Sequence, residues 1–456
     1  MVDESIFKAY DIRGIYPTQL NEDTAFNIGR AFVSFLKPRN VVVARDCRLS
    51  SEKLFGALAK GILRQGADVI DIGALSVNEL YFAVSHYKFD SGIMITASHN
   101  PKEYNGFKLA KEKAIPLSEE TGIQDIKNLI LKNNFESPAK KGKIIKKKNV
   151  EKDFIDYILK SKEYFDVKKI KPLEVIVDAS NGMAGAVVSK LFSKLGIKIV
   201  PINFEPDGSF PNHSPDPLKE ENKAQIIKKL KEEKEDYFGI IFDGDADRCM
   251  FIDENGRSVP GDFMTGLLAK KTLEMNPKAT ILYDLRASNF VRDIVEKNGG
   301  KAVMCRVGHA FIKKYMHDYR ALFAGELSGH YYYKIDDSYF ENSFIAALQI
   351  TEMMSSENKT MSQLLELTRN YFISGEMNFE VKDKDKVLEA IEKAFLKMKP
   401  EKIYKLDGLS VEFKDWHFNL RKSNTEPLIR LTVEANAKEI LDEKVKTLKA
   451  MIKKYE

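Results

Sequence analysis

The chain has 456 residues, 43% hydrophobic and 30% charged, with a formal net charge of +5. At about 150 residues per domain, the length predicts roughly three domains. Several classes are excluded: the charge is too small for a whole-surface attraction to nucleic acid, and no apolar stretch is long enough to span a bilayer.

The N-terminus, Met1-Val2-Asp3-Glu4-Ser5, lacks the basic start and apolar core of a secretory signal. Cys47, Cys249 and Cys305 are too few and too widely spaced for a disulfide framework or a zinc pattern, which fits a reducing cytoplasm.

In chain order, Val41–Ala44, Val69–Gly73 and Ile93–Ile95 are short apolar runs that read as strands between helical patterns. The Lys-rich stretch from Lys140 to Lys148 then breaks the pattern. No aromatic residues interleave there for base stacking, so it reads as a solvated connection rather than an anion-binding patch. A second unit opens with Val175–Asp178, continues through Ile199–Ile202 and ends on the run Phe238–Phe242. A third holds Ile281–Asp284, Val303–Cys305 and Leu322–Ala324. Strands alternating with helices imply βαβ units and parallel or mixed sheets. After a boundary near Thr368, the strand-like Leu428–Val433 and an amphipathic segment from Lys438 suggest a small α+β domain.

Each α/β unit delivers one polar loop from a strand end. The first is Thr96-Ala97-Ser98-His99-Asn100-Pro101, which places a hydroxyl where open α/β sheets bind ligands. The second is Asp243-Gly244-Asp245-Ala246-Asp247-Arg248, whose alternating carboxylates suit a hard cation such as Mg²⁺ or Ca²⁺. An EF-hand is ruled out because Arg248 stands where that loop needs glycine and a strand precedes it. A serine is a weak nucleophile until activated, and a cation held by Asp243, Asp245 and Asp247 offers that activation for a phosphate on Ser98. His99 is placed to orient such a phosphate, unless it is a packed turn histidine.

The third loop is Gly325-Glu326-Leu327-Ser328-Gly329-His330, where Glu326 and Ser328 offer hydrogen bonds to vicinal sugar hydroxyls. Near the C-terminus, Arg421-Lys422-Ser423-Asn424-Thr425-Glu426-Pro427 combines a guanidinium with small donors, a composition that cradles phosphate or makes a simple turn. Lys8 to Gly14 and Tyr104 to Lys108 bring a Lys and an Arg near the Ser98 unit. Asp178 to Gly185 lacks dinucleotide-binding glycine spacing and reads as a tight βα turn.

Together Tyr10-Asp11-Ile12-Arg13-Gly14, the Ser98 hexapeptide, Asn105-Gly106-Phe107-Lys108, Asp243 to Arg248, Gly325 to His330 and Arg421 to Pro427 stand in one order along the whole chain. In these segments the chain resembles the α-D-phosphohexomutase superfamily, and within it the bacterial phosphomannomutase/phosphoglucomutase group. The resemblance implies four domains around a central cleft, three α/β and a last α+β, placed here at 1–150, 151–253, 254–368 and 369–456. It implies that Ser98 is the phosphoserine and that Asp243, Asp245, Asp247 and the Ser98 phosphate hold Mg²⁺. Glu326 and Ser328 would bind the sugar O3 and O4. Arg421, Ser423, Asn424 and Thr425 would hold the non-reacting phosphate. Arg13, Lys108 and His330 would assist proton movement near the transferred group, with His99 beside it. Tyr10, Arg248, Arg286, His309 and Arg430 would be further substrate contacts. The implied reaction moves phosphate between C1 and C6 of a hexose through a hexose 1,6-bisphosphate, which is also the activator.

The Pro206 to His213 and Pro215 to Pro217 segments look like the mannose/glucose group, and Ser328 is retained where phosphoglucosamine mutases commonly carry alanine. Ile335 to Glu341 departs from the group's usual form. The competing readings are a phosphoglucosamine mutase, a metal-dependent sugar phosphatase and a sugar-phosphate-binding protein with a dead site. The expected partners are hexose phosphates, without nucleic acid or membrane; monomer and dimer both stay open.

Overall fold

Apolar runs bounded by turns become the strands of four sheets, one more than length alone predicts. The structure, a computed structural model, describes residues 2–136, 140–233, 237–423 and 428–455. In the first sheet the order is Ile12–Ile15, Tyr104–Lys111, Ser91–Ile95, Asn40–Arg45, Asp68–Ala74 and Ile144–Lys146, with Ile115–Pro116 paired to Tyr104–Lys111. Ser91–Ile95, Asn40–Arg45 and Asp68–Ala74 are parallel, so both faces are covered and their sequences are near-continuously apolar. Val41, Val43 and Val69 face one core with the helices Glu22–Leu36 and Ser51–Arg64. Val42, Ala44 and Ile70 face the other with Val77–His86. That is the period-two alternation of a strand.

The Lys-rich stretch is more than a connection. Ile144–Lys146 adds a parallel edge strand to Asp68–Ala74 while all three of its residues stay exposed. Main-chain bonds suffice for an edge, so no apolar pattern marks it in the sequence.

The second sheet has the order Ser258–Val259, Cys249–Ile252, Phe238–Phe242, Glu174–Asp178 and Lys198–Ile202. The third has Lys301–Cys305, Thr280–Asp284, Phe323–Gly325, Tyr331–Ile335 and Ser338–Glu341. One motif recurs in the first three sheets. A strand that runs parallel to a neighbour ends in a polar loop, and the next strand returns antiparallel to it. Ser91–Ile95 returns as Tyr104–Lys111, Phe238–Phe242 as Cys249–Ile252, and Phe323–Gly325 as Tyr331–Ile335. The loops between are those of Ser98, of the three aspartates and of Glu326.

The fourth sheet is antiparallel, from Phe372–Ile373 through Leu428–Ala435, Trp416–Lys422 and Leu409–Glu412 to Lys402–Tyr404, with Met377–Glu380 also on Leu428–Ala435. It packs on the helices Lys384–Leu396 and Lys438–Ile452 around a core of its own, including Phe395, Phe418 and Leu448. The first three units instead share a continuous core that joins Phe82, Phe242 and Tyr333. The fourth unit meets the third through polar pairs as well as through Tyr371 and Ile373, which pack against that core: Tyr371 Oη donates to Asp293 at 2.8 Å, the Asn289 N–H donates to Glu434 at 3.1 Å, and Arg292 lies 3.7 Å from Glu412. Polar interfaces of this kind permit relative motion of domains.

Candidate active site

Ser98 follows the fully buried strand Ser91–Ile95 and is held at φ 50°, a region costly for a residue with a Cβ. Its Oγ donates to Asp243 Oδ2 at 2.7 Å and lies 3.3 Å from His99 Nδ1. Burial, then Arg248 and Arg13, hold His99 well below the usual imidazole range, so the ring is neutral. The aspartate loop reaches this close because it carries Gly244: a Cβ there would fall 2.6 Å from the Ser98 carbonyl oxygen.

Asp243, Asp245 and Asp247 are all buried, and each offers one oxygen within 4.8 Å of the others. Lys108 Nζ, from the returning strand of the first sheet, donates to Asp245 Oδ2 at 2.8 Å and to Asp247 Oδ2. Burial favours the neutral amine, but the two carboxylates outweigh it and keep Lys108 well above its ordinary value. Asp243 is pushed up by burial and by the like charges of Asp247 and Asp245. Asp247 is drawn well down: burial opposes this, but Lys108 and His330 prevail. Asp245 Oδ1 and Asp247 Oδ1 are buried without a hydrogen-bond partner among the described residues. A buried carboxylate cluster with such oxygens beside a hydroxyl is a donor set that fits a hard divalent cation. Glu254 takes no part, since its carboxylate accepts from the Ser362 N–H at 3.2 Å.

The third loop joins this cluster through His330. Its Nδ1 lies 3.1 Å from Glu326 Oε2 and its Nε2 lies 3.5 Å from Asp247 Oδ1. Burial and Arg248 press the ring toward neutrality, yet Asp247 and Glu326 prevail and lift it to about 9. Arg248 Nε lies 3.1 Å from His330 Nε2, a hydrogen bond only for the neutral ring. Two buried anionic partners make the imidazolium the better description, and that contact is then a repulsive one. Glu326 is held at about 2, with burial opposed by His330, Arg286 and the Tyr332 hydroxyl, which donates at 2.6 Å. Ser328 Oγ lies 2.9 Å from His330 Nδ1. The Glu326 carboxylate also accepts from the Gly308 N–H at 3.3 Å, beside His309 at the start of the helix His309–Tyr319. Tyr10 from the first unit lies edge-on to His309 at 5.3 Å. Arg13 donates to Asn100 Oδ1 at 2.6 Å, two residues beyond Ser98, and pairs with Asp11.

From there the polar contacts continue to the fourth unit. The Leu327 N–H donates to Asp284 at 3.0 Å, and Asp284 grips Arg286 at 2.8 Å and 3.0 Å. Arg286 lies 3.8 Å from Glu376, which also accepts from Arg421 at 2.8 Å and Arg430 at 3.2 Å. Arg421 and Arg430 face each other across paired strands, so both guanidiniums leave the sheet at one place. Ser423 closes that end, its N–H donating to the Leu428 carbonyl at 2.9 Å. Asn424 and Thr425 lie outside the described residues.

Three contributors are invisible to motif reading. Glu376 gathers three arginines from two units. The Ala246 carbonyl, at φ 64°, accepts from Asn78 at 2.5 Å and Ser343 at 2.6 Å, which come from the first and third units. Lone polar residues on helices give no local signal of such a role. Arg48 gives one, a charged residue just beyond the apolar strand Asn40–Arg45, in the same position as the other functional loops.

Three mixed α/β units and an antiparallel α+β unit, presenting a serine, an acidic triad and an arginine cluster, define a phosphotransferase of the multidomain mutase class. The chain belongs to the phosphoglucomutase/phosphomannomutase family: the models for its alpha/beta/alpha domains I, II and III match residues 4–137, 152–256 and 260–371, and the C-terminal domain model matches 376–451. A phosphomannomutase of Vibrio cholerae is 41% identical, with 100% of both chains covered. One of Methanocaldococcus jannaschii is 40% identical over 100% of this chain and 99% of its own. A crystal structure of a phosphoglucomutase/phosphomannomutase family protein from Burkholderia thailandensis superposes with a TM-score of 0.89 at 33% identity, over 99% of this chain and 98% of that one. The resemblance carried by the six segments is thereby borne out, as is the four-part architecture.

Proposed function

We propose that the chain interconverts the 1- and 6-phosphates of mannose and glucose, with Ser98 carrying the phosphoryl group. The observation that carries this reading is the 2.7 Å contact between Ser98 Oγ and Asp243 at the edge of a buried acidic triad. An unphosphorylated serine there donates to a carboxylate. A phosphorylated one would place its oxygens among the groups that suit Mg²⁺, namely Asp243, Asp245 and Asp247. A divalent cation bound by them neutralises phosphate charge and polarises the P–O bond.

In the forward half-reaction an O–P bond forms to a sugar hydroxyl as the P–Oγ bond of Ser98 breaks; the sugar hydroxyl gives up one proton and the departing Ser98 Oγ takes one up, so no net proton is gained or lost. The hexose 1,6-bisphosphate then turns end for end and returns its other phosphate to Ser98, and the same bisphosphate serves as activator. Lys108 and Arg248 supply fixed positive charge beside the transferred group, which stabilises charge without reorganisation. His330, as an imidazolium, and Arg13 line the proton route, with neutral His99 against Ser98. Glu326, Ser328 and His309 orient the sugar, with Tyr10 behind them. Arg286, Arg421, Arg430, Ser423, Asn424 and Thr425 hold the distant phosphate, whose binding energy is available at the reacting end. The free thiols of Cys47, Cys249 and Cys305 support a cytoplasmic setting.

The test is ³¹P NMR on the purified protein with Mg²⁺ and a trace of hexose 1,6-bisphosphate, using mannose, glucose and glucosamine 1-phosphates in separate tubes. Growth of 6-phosphate signals with mannose and glucose is the expected result. Turnover of glucosamine phosphate alone moves the chain to the phosphoglucosamine reading, and inorganic phosphate without isomer makes it a phosphatase.

A further inference from the structure

We infer that Arg48 is a positioning residue whose guanidinium holds the backbone of the Ser98 loop in the shape that aims Oγ at the acidic triad. The inference rests on the reading of Ser98 as the phosphoryl carrier. Arg48 has a fully buried side chain, and it comes from the turn after Asn40–Arg45, the strand beside the one that leads to Ser98.

All five of its N–H groups are used. Nε donates to Asp46 Oδ2 at 3.1 Å. Nη1 donates to the carbonyls of Pro101 at 2.7 Å and Tyr104 at 3.0 Å. Nη2 donates to the carbonyls of Ser98 at 2.8 Å and Asn100 at 2.6 Å. Four carbonyls of one short segment converge on one guanidinium, an arrangement that leaves them mutually repulsive unless a planar fork of donors lies between them. Only arginine supplies that fork, because a lysine offers three donors from one atom. The loop so held includes Ser98 at φ 50°, and a strained residue persists only where its surroundings over-determine it.

The second unit braces the same group. The Phe210 ring lies 5.0 Å from the guanidinium carbon. Gly208 sits so close that a Cβ there would come within 2.3 Å of the Cys47 carbonyl oxygen and 2.6 Å of the Arg48 Cα. The unit that carries the aspartates therefore also fixes the residue that shapes the serine loop, which ties the two halves of the site to one register. Arg48 touches no atom proposed to react, so its effect is on geometry alone.

The test compares Arg48→Lys, Asp46→Asn and Phe210→Leu with wild type and with Ser98→Ala as control, measuring kcat and KM for glucose 1-phosphate, the rate of Ser98 phosphorylation by the bisphosphate, and the thermal midpoint. A misplaced reacting atom costs about 10²-fold without weakening binding. Arg48→Lys is accordingly expected to lose about 10²-fold in kcat and in phosphorylation rate, with KM within about threefold, at a temperature where its midpoint shows it folded. Should that variant not fold, Asp46→Asn and Phe210→Leu carry the test, each with a loss of about tenfold in kcat at unchanged KM. Full kcat in folded Arg48→Lys, or in both other variants, overturns the inference while leaving Ser98 as carrier. A loss that follows only the unfolded fraction also overturns it. Activity retained by Ser98→Ala overturns the reading of Ser98 itself, whatever Arg48 does.

Discussion

Ser98 Oγ and Asp243 Oδ2 lie 2.7 Å apart although 145 positions separate them and they sit on loops of different sheets. That pair joins a hydroxyl to a carboxylate cluster whose own charges oppose each other, and it makes both loops dependent on the contact between the first two units.

The first prediction concerns that pair. Ser98→Ala is expected to fold normally and to lose at least about 10³-fold in kcat, because it removes the proposed covalent carrier. Incubation with bisphosphate and intact-mass measurement checks it, since the wild type gains one phosphoryl group and the variant none.

Removal of divalent cations is expected to abolish turnover and Mg²⁺ to restore it. Asp245→Asn should require roughly tenfold more Mg²⁺ for half-activation, because it removes a charged donor while leaving Lys108 in place. A titration of rate against free Mg²⁺ reads this directly, and an unchanged curve would remove Asp245 from the cation site.

At the far end, Arg421→Ala is expected to raise KM by about 10- to 100-fold, the loss of one charge-assisted bond to phosphate. The change in kcat should be smaller. Steady-state kinetics with both 1-phosphates should show the same increase if the cluster holds the distant phosphate, as proposed, and not the sugar.

Asn78→Ala removes one of the two donors on the Ala246 carbonyl, at the strained bend between Asp245 and Asp247. The expected cost is about 1–3 kcal/mol of stability. A weaker Mg²⁺ response should accompany it. A double-mutant cycle with Ser343→Ala should show strong coupling, since both donors serve one acceptor.

The junction of the third and fourth units gives a pH dependence. Glu434 is pushed up to about 8 by burial first, with Asp262 and Asp293 nearby adding to the shift. Its folded pKa exceeds its ordinary value of 4.5, so the folded state keeps a proton that the unfolded chain has lost. Its contribution to stability is complete below about 4.5 and falls as pH rises toward 8. His417 is pushed down to about 4 by burial and accepts from the Asn289 amide at 3.0 Å as a neutral ring. That contribution is lost in the opposite direction, as pH falls from 6.5 toward 4. Thermal midpoints of the wild type should decline between pH 6 and about 9, and Glu434→Gln should flatten that decline. Trp416, the single tryptophan, lies in the core of the fourth unit and reports its unfolding.

The sequence by itself determined the functional loops. An apolar strand that stops at Ser98, at Asp243 or at Glu326 is a local pattern, because burial of a strand on both faces demands continuous apolar residues and the polar break marks its end. The same logic places the last strand and the final helix from Lys438. Tertiary structure decided what those loops meet. The Asn105 to Lys108 segment marks Lys108 as a candidate, but only the packing of the first two sheets shows that Asp245 and Asp247 close on it. Glu376 has no motif and Arg48 only its place beyond an apolar strand, and they matter because three arginines or four carbonyls converge on them. The exposed edge strand at Ile144–Lys146 escaped notice because main-chain bonds hold it without side-chain burial. Periodicity acts over a few residues, whereas convergence is set by packing across units, so the loops are legible in the chain and their partners are not.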